Sequence, residues 1–200
     1  MCERLFPSGQ PEVFGATTMA KTYAYDLSNL PGDHPACYSR ELETWADCLA
    51  ERTGKTTGQA IVLRLRARPD RSTGRATRDD LILSAAPHST QQELAGLKRT
   101  LPATAISERG GLAVAAVVLS VVLQFRIREV TLKGESGDFW LEDQAGVPRG
   151  LCEMSGSRNN NLSTLYGGKR SQVLRNQAAT ECYVSVTRYA SRESYFCRVR

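Results

Sequence analysis

Asp138 and Glu153 lie in two strand-like runs separated by a turn through Gly146 and Pro148, within Lys133 to Ser157 (KGESGDFWLEDQAGVPRGLCEMSGS). Neighbouring strands sit about 4.8 Å apart, so carboxylates on one face of such a hairpin can share a divalent cation. On the second run Glu153 and Ser155 share a face with Leu151, while Cys152 and Met154 point the other way. Glu153 and position 155 therefore look into one site. A hard cation held there would acidify a bound water and neutralise a phosphoryl oxygen.

Other chemistries find less support. Gly54-Lys55-Thr56 lacks the glycine five residues earlier that a phosphate-binding loop requires; that position is Leu49, within a helical pattern. Only His34 and His88 are present, neither beside a nucleophile motif, which argues against Ser/His/Asp or Cys/His hydrolysis. The six cysteines form no C-x-x-C pair, and His34 with Cys37 has no partner pair at zinc-finger spacing. Packing is the expected role of both, and the thiols are expected to be reduced.

Elements must position the two acids. Leu42, Trp45, Ala46 and Leu49 recur at helical period over Tyr38 to Arg52, ending at Gly54. Ile61, Leu63 and Leu65 alternate with Arg64 and Arg66 over Gln59 to Ala67, a half-buried strand with a cationic outer face. Asp80 to Ala85 reads as a strand. Ser89 or Thr90 can cap a helix over Gln91 to Thr100 that Pro102 ends. Ser107 reads as the N-cap of a helix to about Gln124, with Glu108 in its first turn, where the dipole alone accounts for an acid. Strands follow at Glu129 to Lys133, Asp138 to Glu142 and Arg149 to Ser155, then a helix at Thr164 to Ala178 and a strand at Cys182 to Tyr189.

That order, with an Asp in the second strand and a Glu-x-Ser after a turn, resembles the restriction-endonuclease-like PD-(D/E)xK nuclease superfamily over about residues 104 to 200. The resemblance implies an α/β (mixed α+β) protein with a helix, three-strand, helix, strand core over 104 to 200; before it, residues 1 to 22, with Pro, Gly and Thr and no periodicity, read as a flexible arm and 23 to 103 as an N-terminal α+β extension. It also implies a hydrolase cutting DNA or RNA with Mg2+ or Mn2+. Carried over, Asp138 is the first metal ligand and Glu153 the second, with Glu108 an assisting acid. Position 155 should be a Lys that orients or activates the attacking water, and here it is Ser155; Gly137 stands where the family name has Pro. A hydroxyl cannot replace that cation. Lys169 and Arg170, at the second helix, or Lys133 on the first strand could supply it instead.

The second half of the cationic strand and its loop add further arginines, giving six in the fifteen positions from Arg64 to Arg78. Guanidinium forks match phosphate oxygens, so Arg64, Arg66, Arg68, Arg71 and Arg75, with Lys133 and Arg170, form the candidate nucleic-acid contact set. A solvated loop partly neutralised by Asp70, Asp79 and Asp80 is the competing reading. No aromatic residue interleaves these arginines to stack on bases.

Two hundred residues, 41% hydrophobic and 24% charged with net charge +5, suit a globular chain and allow a polyanionic partner without requiring one. The apolar run Leu112 to Leu123 is shorter than the roughly 20 residues a membrane span needs, so it is expected to be a core helix, with no membrane association. No secretory signal is evident, and the cytoplasm is the expected location. The sequence leaves open a degenerate nuclease fold that binds nucleic acid without cutting, or a structural subunit with a protein partner or a second copy of itself.

Overall fold

The computed structural model describes residues 20–68, 77–86, 88–131 and 137–200, with Arg68 described by its backbone alone. Among the described residues eight strands form one mixed sheet, accompanied by five α-helices. The strands are β1 (Thr22–Asp26), β2 (Ala60–Arg68), β3 (Thr77–Ser84), β4 (Phe125–Val130), β5 (Phe139–Asp143), β6 (Pro148–Ser157), β7 (Cys182–Arg188) and β8 (Glu193–Arg198). Their order across the sheet is β1-β3-β2-β8-β7-β6-β5-β4. The helices are α1 (Leu30–Asp33), α2 (Ser39–Thr53), α3 (Gln91–Thr100), α4 (Ala103–Val118) and α5 (Leu162–Val173).

The second half runs α4, β4, β5, β6, α5, β7. Strands β4, β5 and β6 form an antiparallel meander, whereas β6 and β7 are parallel. A parallel pair needs a crossover, and α5 supplies it. The first half adds to the same sheet: β2 pairs in parallel with β8, so β1, β3 and β2 extend the sheet that carries Glu153.

Alternation along the strands feeds two cores. Leu63, Leu65, Cys152, Met154 and Phe196 face α2 and α4, in a cluster that includes Trp45 and Leu49. Leu151, Val184, Val186 and Cys197 face α5, with Val173 buried among them. Strand β6 is buried on both faces for seven residues from Gly150, as a central strand between two helical layers must be. Gly54, at φ +65°, closes α2 in the left-handed conformation that suits glycine at a helix end.

Several expectations change. Ser107 does not cap its helix: α4 starts four residues earlier at Ala103, behind Pro102, and the Ser107 hydroxyl donates to the Ala103 carbonyl from inside the helix. Pro102 lacks an N–H and sits at a position where none is needed, which sets the true start. Glu108 thus lies beyond the first turn, and the helix dipole no longer explains it. The helix continues through a π-helical turn at Leu119–Leu123. At 21 residues from Ala103 to Leu123 it is long and apolar enough to cross a membrane, yet most of it is buried within the protein. Burial, not length, makes it a core helix.

The first strand of the meander lies at Phe125–Val130, earlier than expected, with Ile127 buried and Phe125 partly buried against the core; residues 132 and 133 of the expected strand lie outside the described residues. Helix α5 ends at Val173, five residues short of expectation, and Asp138 precedes β5 rather than lying within it. Strands β1 and β8 are not among the expected elements; β1 starts at Thr22, the last residue of the expected arm.

Candidate active site

Each side chain of the site is placed by a different element. Phe139 pairs with Cys152, so one further step of the antiparallel register sets Asp138 across from Glu153. The Asp138 amide donates to the Cys152 carbonyl at 3.0 Å, and its carboxylate Oδ2 accepts from the Met154 amide at 2.6 Å. This clamp fixes the acid against the edge of β6.

Glu153 is wholly buried in the middle of β6. Its Oε1 accepts from Lys169 Nζ at 2.5 Å, and its Oε2 is buried with no hydrogen-bond partner. Lys169 reaches it because α5 puts Leu162, Leu165, Tyr166, Lys169 and Val173 at helical spacing on one stripe. The four apolar members of that stripe pack into the second core. A lysine on the inward stripe is pointed at the sheet, and the acid is what it meets there.

Electrostatics couple the set. Burial, followed by repulsion from Asp138, raises Glu153 to about 7, against the lowering influence of Lys169 and Arg175. Burial likewise raises Asp138, opposed by the Met154 amide and Lys169 and aided by Glu108. Glu108, exposed on α4, therefore acts on Asp138. It comes close because α4 packs directly on β6: a Cβ on Gly111 would lie 2.5 Å from the Gly156 nitrogen, and one on Gly156 would strike the Ser107 carbonyl. Tyr189 Oη donates to that carbonyl at 3.0 Å and pins the approach.

Asp138, Glu153 and Lys169 thus meet, and Glu108 acts on Asp138. Glu108 and Ser155 also line a cleft of about 330 Å3 at the end of β6. Ser155 supplies no charge; that comes from Lys169. Trp140, on the strand face of Asp138, packs against the second core. Arg170 is exposed beside Lys169 on α5.

The arginines of β2 are elsewhere. Arg64 and Arg66 are exposed on the α5 side of the sheet, since Arg66 pairs with Tyr195, which faces the second core. Three strand spacings, about 14 Å, separate β2 from β6. Arg66 makes an ion pair with Glu193 at 3.4 Å, and Arg64 lies across from Asp80, so neighbouring acids partly offset this patch. Lys133, Arg71, Arg75 and the Arg68 side chain lie outside the described residues.

Sequence reading missed Arg52, Arg158 and Arg175. The first two line the cleft and the third acts on Glu153. Arg175 follows the Lys169-Arg170 pair by five to six residues, just past the end of α5, the signal that could have found it. Nothing in the sequence joins Arg52, on α2, to this site. His34 is buried and structural: Nε2 lies 3.0 Å from the Ala116 carbonyl, and Nδ1 accepts from the Ile127 amide at 3.1 Å. The five described cysteines are unpaired.

Among the described residues no group of three or more His, Cys, Asp or Glu side chains could hold a metal ion. The donor set is two carboxylates plus a lysine. Comparisons with protein-family models, with curated proteins and with solved structures find no match to this chain.

Proposed function

We propose that the chain is a metal-dependent nuclease with a restriction-endonuclease-like core, hydrolysing phosphodiester bonds in DNA or RNA. The observation that carries this reading is the contact of Lys169 Nζ with Glu153 Oε1 beside Asp138. A cation missing from position 155 is thereby restored from α5 to the same carboxylate pair.

The donor set fits Mg2+ or Mn2+. Mg2+ is commonly bound through only one or two carboxylates together with substrate phosphate and water. Asp138 and Glu153 would hold it, and the unpartnered Glu153 Oε2 is the oxygen best placed to need a cation. When bound, the metal would supply Lewis acidity to phosphoryl oxygen and water.

The chain's own groups do the rest. The Met154 amide keeps Asp138 Oδ2 in place. Lys169 donates one N–H to Glu153 and retains two, which can orient the attacking water or meet the charge that builds on the phosphoryl oxygens. Arg175 adds positive charge beside Glu153, and the exposed Arg170 adds charge at the surface that attracts a polyanion. We place this activity in the cytoplasm, where thiols stay reduced.

The test is cleavage of fluorescent DNA and RNA oligonucleotides with MgCl2 or MnCl2. Cleavage abolished by a chelator and by Asp138→Ala supports the reading. Unchanged cleavage by Asp138→Ala overturns it.

A further inference from the structure

The cleft at the end of β6 carries groups that the proposed chemistry does not use. Besides Glu108 and Ser155 it is lined by Arg52, Arg158, Asn159, Asn160 and Leu165. Arg52 donates to the Ala103 carbonyl, but its Nε is buried without a partner. Arg158 is exposed and takes part in no ion pair among the described residues. Two cations of this kind call for an anion.

The segment carrying Arg158 is held in shape. The Ala190 amide donates to the Arg158 carbonyl at 3.0 Å, the Tyr189 amide to the Ser157 carbonyl at 3.0 Å, and the Asn160 amide to Ser157 Oγ at 3.2 Å. The Asn161 side chain accepts from the Ser163 amide and caps α5. On the backbone held this way, Asn159 and Asn160 are exposed beside the cleft. An amide both donates and accepts, the pattern that reads a nucleobase edge, and Leu165 offers apolar surface for the ring.

Size then points to the occupant. A cleft of about 330 Å3 is at the small end of ligand pockets and matches a single nucleotide better than a base pair. Resting on the nuclease reading above, we propose that this cleft seats one unpaired nucleotide next to the scissile phosphodiester. Its phosphate lies at Arg158 and Arg52, and its base edge at Asn159 and Asn160. The substrate is accordingly a single strand or an unpaired end, because a continuous duplex must first lose a base pair to enter.

The experiment uses the full chain carrying Asp138→Asn, so that binding is read without cleavage. Fluorescence anisotropy compares a mixed-sequence single-stranded oligonucleotide with its paired duplex, in deoxy and ribo forms that distinguish the sugar. The single strand, in either sugar, is expected to bind at least about tenfold tighter than its duplex, and Arg158→Ala with Asn160→Ala to remove about tenfold of that affinity. Both substituted positions are exposed, so the variants are expected to fold. Equal duplex binding, or single-strand binding indifferent to the double substitution, overturns the proposal. Cleavage by the unaltered protein is followed in parallel. Cleavage within a duplex independent of Arg158 overturns the cleft but leaves the nuclease standing. Arg158-dependent single-strand binding without any cleavage supports the cleft and removes the nuclease.

Discussion

Lys169 Nζ sits 2.5 Å from Glu153 Oε1, joining a half-exposed helix to the most buried acid of the sheet. The lysine side chain is 26% exposed and the glutamate 0%. An acid so placed needs a cation, and Lys169 is the one that touches it.

Removing the lysine should therefore be felt twice. Lys169→Met leaves Glu153 buried and unpaired, costing about 3 kcal/mol at pH 8 in urea denaturation. Activity should fall about 100-fold or more. Adding Ser155→Lys to that variant puts a cation back on the same strand face and should restore at least about tenfold of the rate. A double variant no faster than the single one would show that the lysine acts through helix packing rather than charge.

Glu153 gives a signed pH dependence. Its folded-state value of about 7 lies above its usual 4.5, so the folded protein binds the extra proton between those values. Stability tied to this group is complete below about 4.5 and is lost as pH rises through 7, an effect on the order of 3 kcal/mol. Glu153→Gln should remove that slope and be more stable than the parent at pH 8, read as a higher urea midpoint. It should also be inactive.

His34 acts in the opposite direction. Burial lowers its pKa despite the Ala116 carbonyl, so it is neutral when folded. Its contribution is present above the unfolded value of about 6.5 and is lost as pH falls towards the lowered folded value. Urea midpoints measured from pH 7 to 5 should fall more gently in His34→Gln than in the parent once Glu153→Gln is present in both.

The contact of α4 with β6 sets how near Glu108 comes to the acids. Gly111→Ala would force a methyl against the Gly156 backbone and should cost about 1 to 3 kcal/mol, seen as a lower thermal midpoint. Activity should drop further than the fraction unfolded explains. Gly167→Ala, where an added Cβ meets nothing, should leave both unchanged or slightly improved and serves as the comparison.

Much of the frame was legible because local signals were strong. The stripe Leu42, Trp45, Ala46 and Leu49 gives α2, and Thr90 caps α3 by accepting from the Glu93 amide, both as expected. The meander around Asp138 and Glu153 was readable from strand alternation and the Gly146 turn. What failed was tertiary. Strands β1 and β8 owe their pairing to β3, β2 and β7, which no local pattern announces. The start of α4 was misread because Ser107 is a good cap in isolation, whereas Pro102 begins the helix earlier. In the sequence Lys169, Arg170 and Lys133 are equivalent substitutes, and only the crossover of α5 over β6 distinguishes Lys169 from Arg170, one residue later on an exposed face.

The most direct measurement is anomalous diffraction from a crystal soaked in Mn2+. The account predicts a single strong peak bounded by the carboxylates of Asp138 and Glu153, with Lys169 Nζ close by and the peak lost in Asp138→Ala. Saturating Mn2+ that leaves no density there, with the Lys169 contact to Glu153 unchanged, would contradict it.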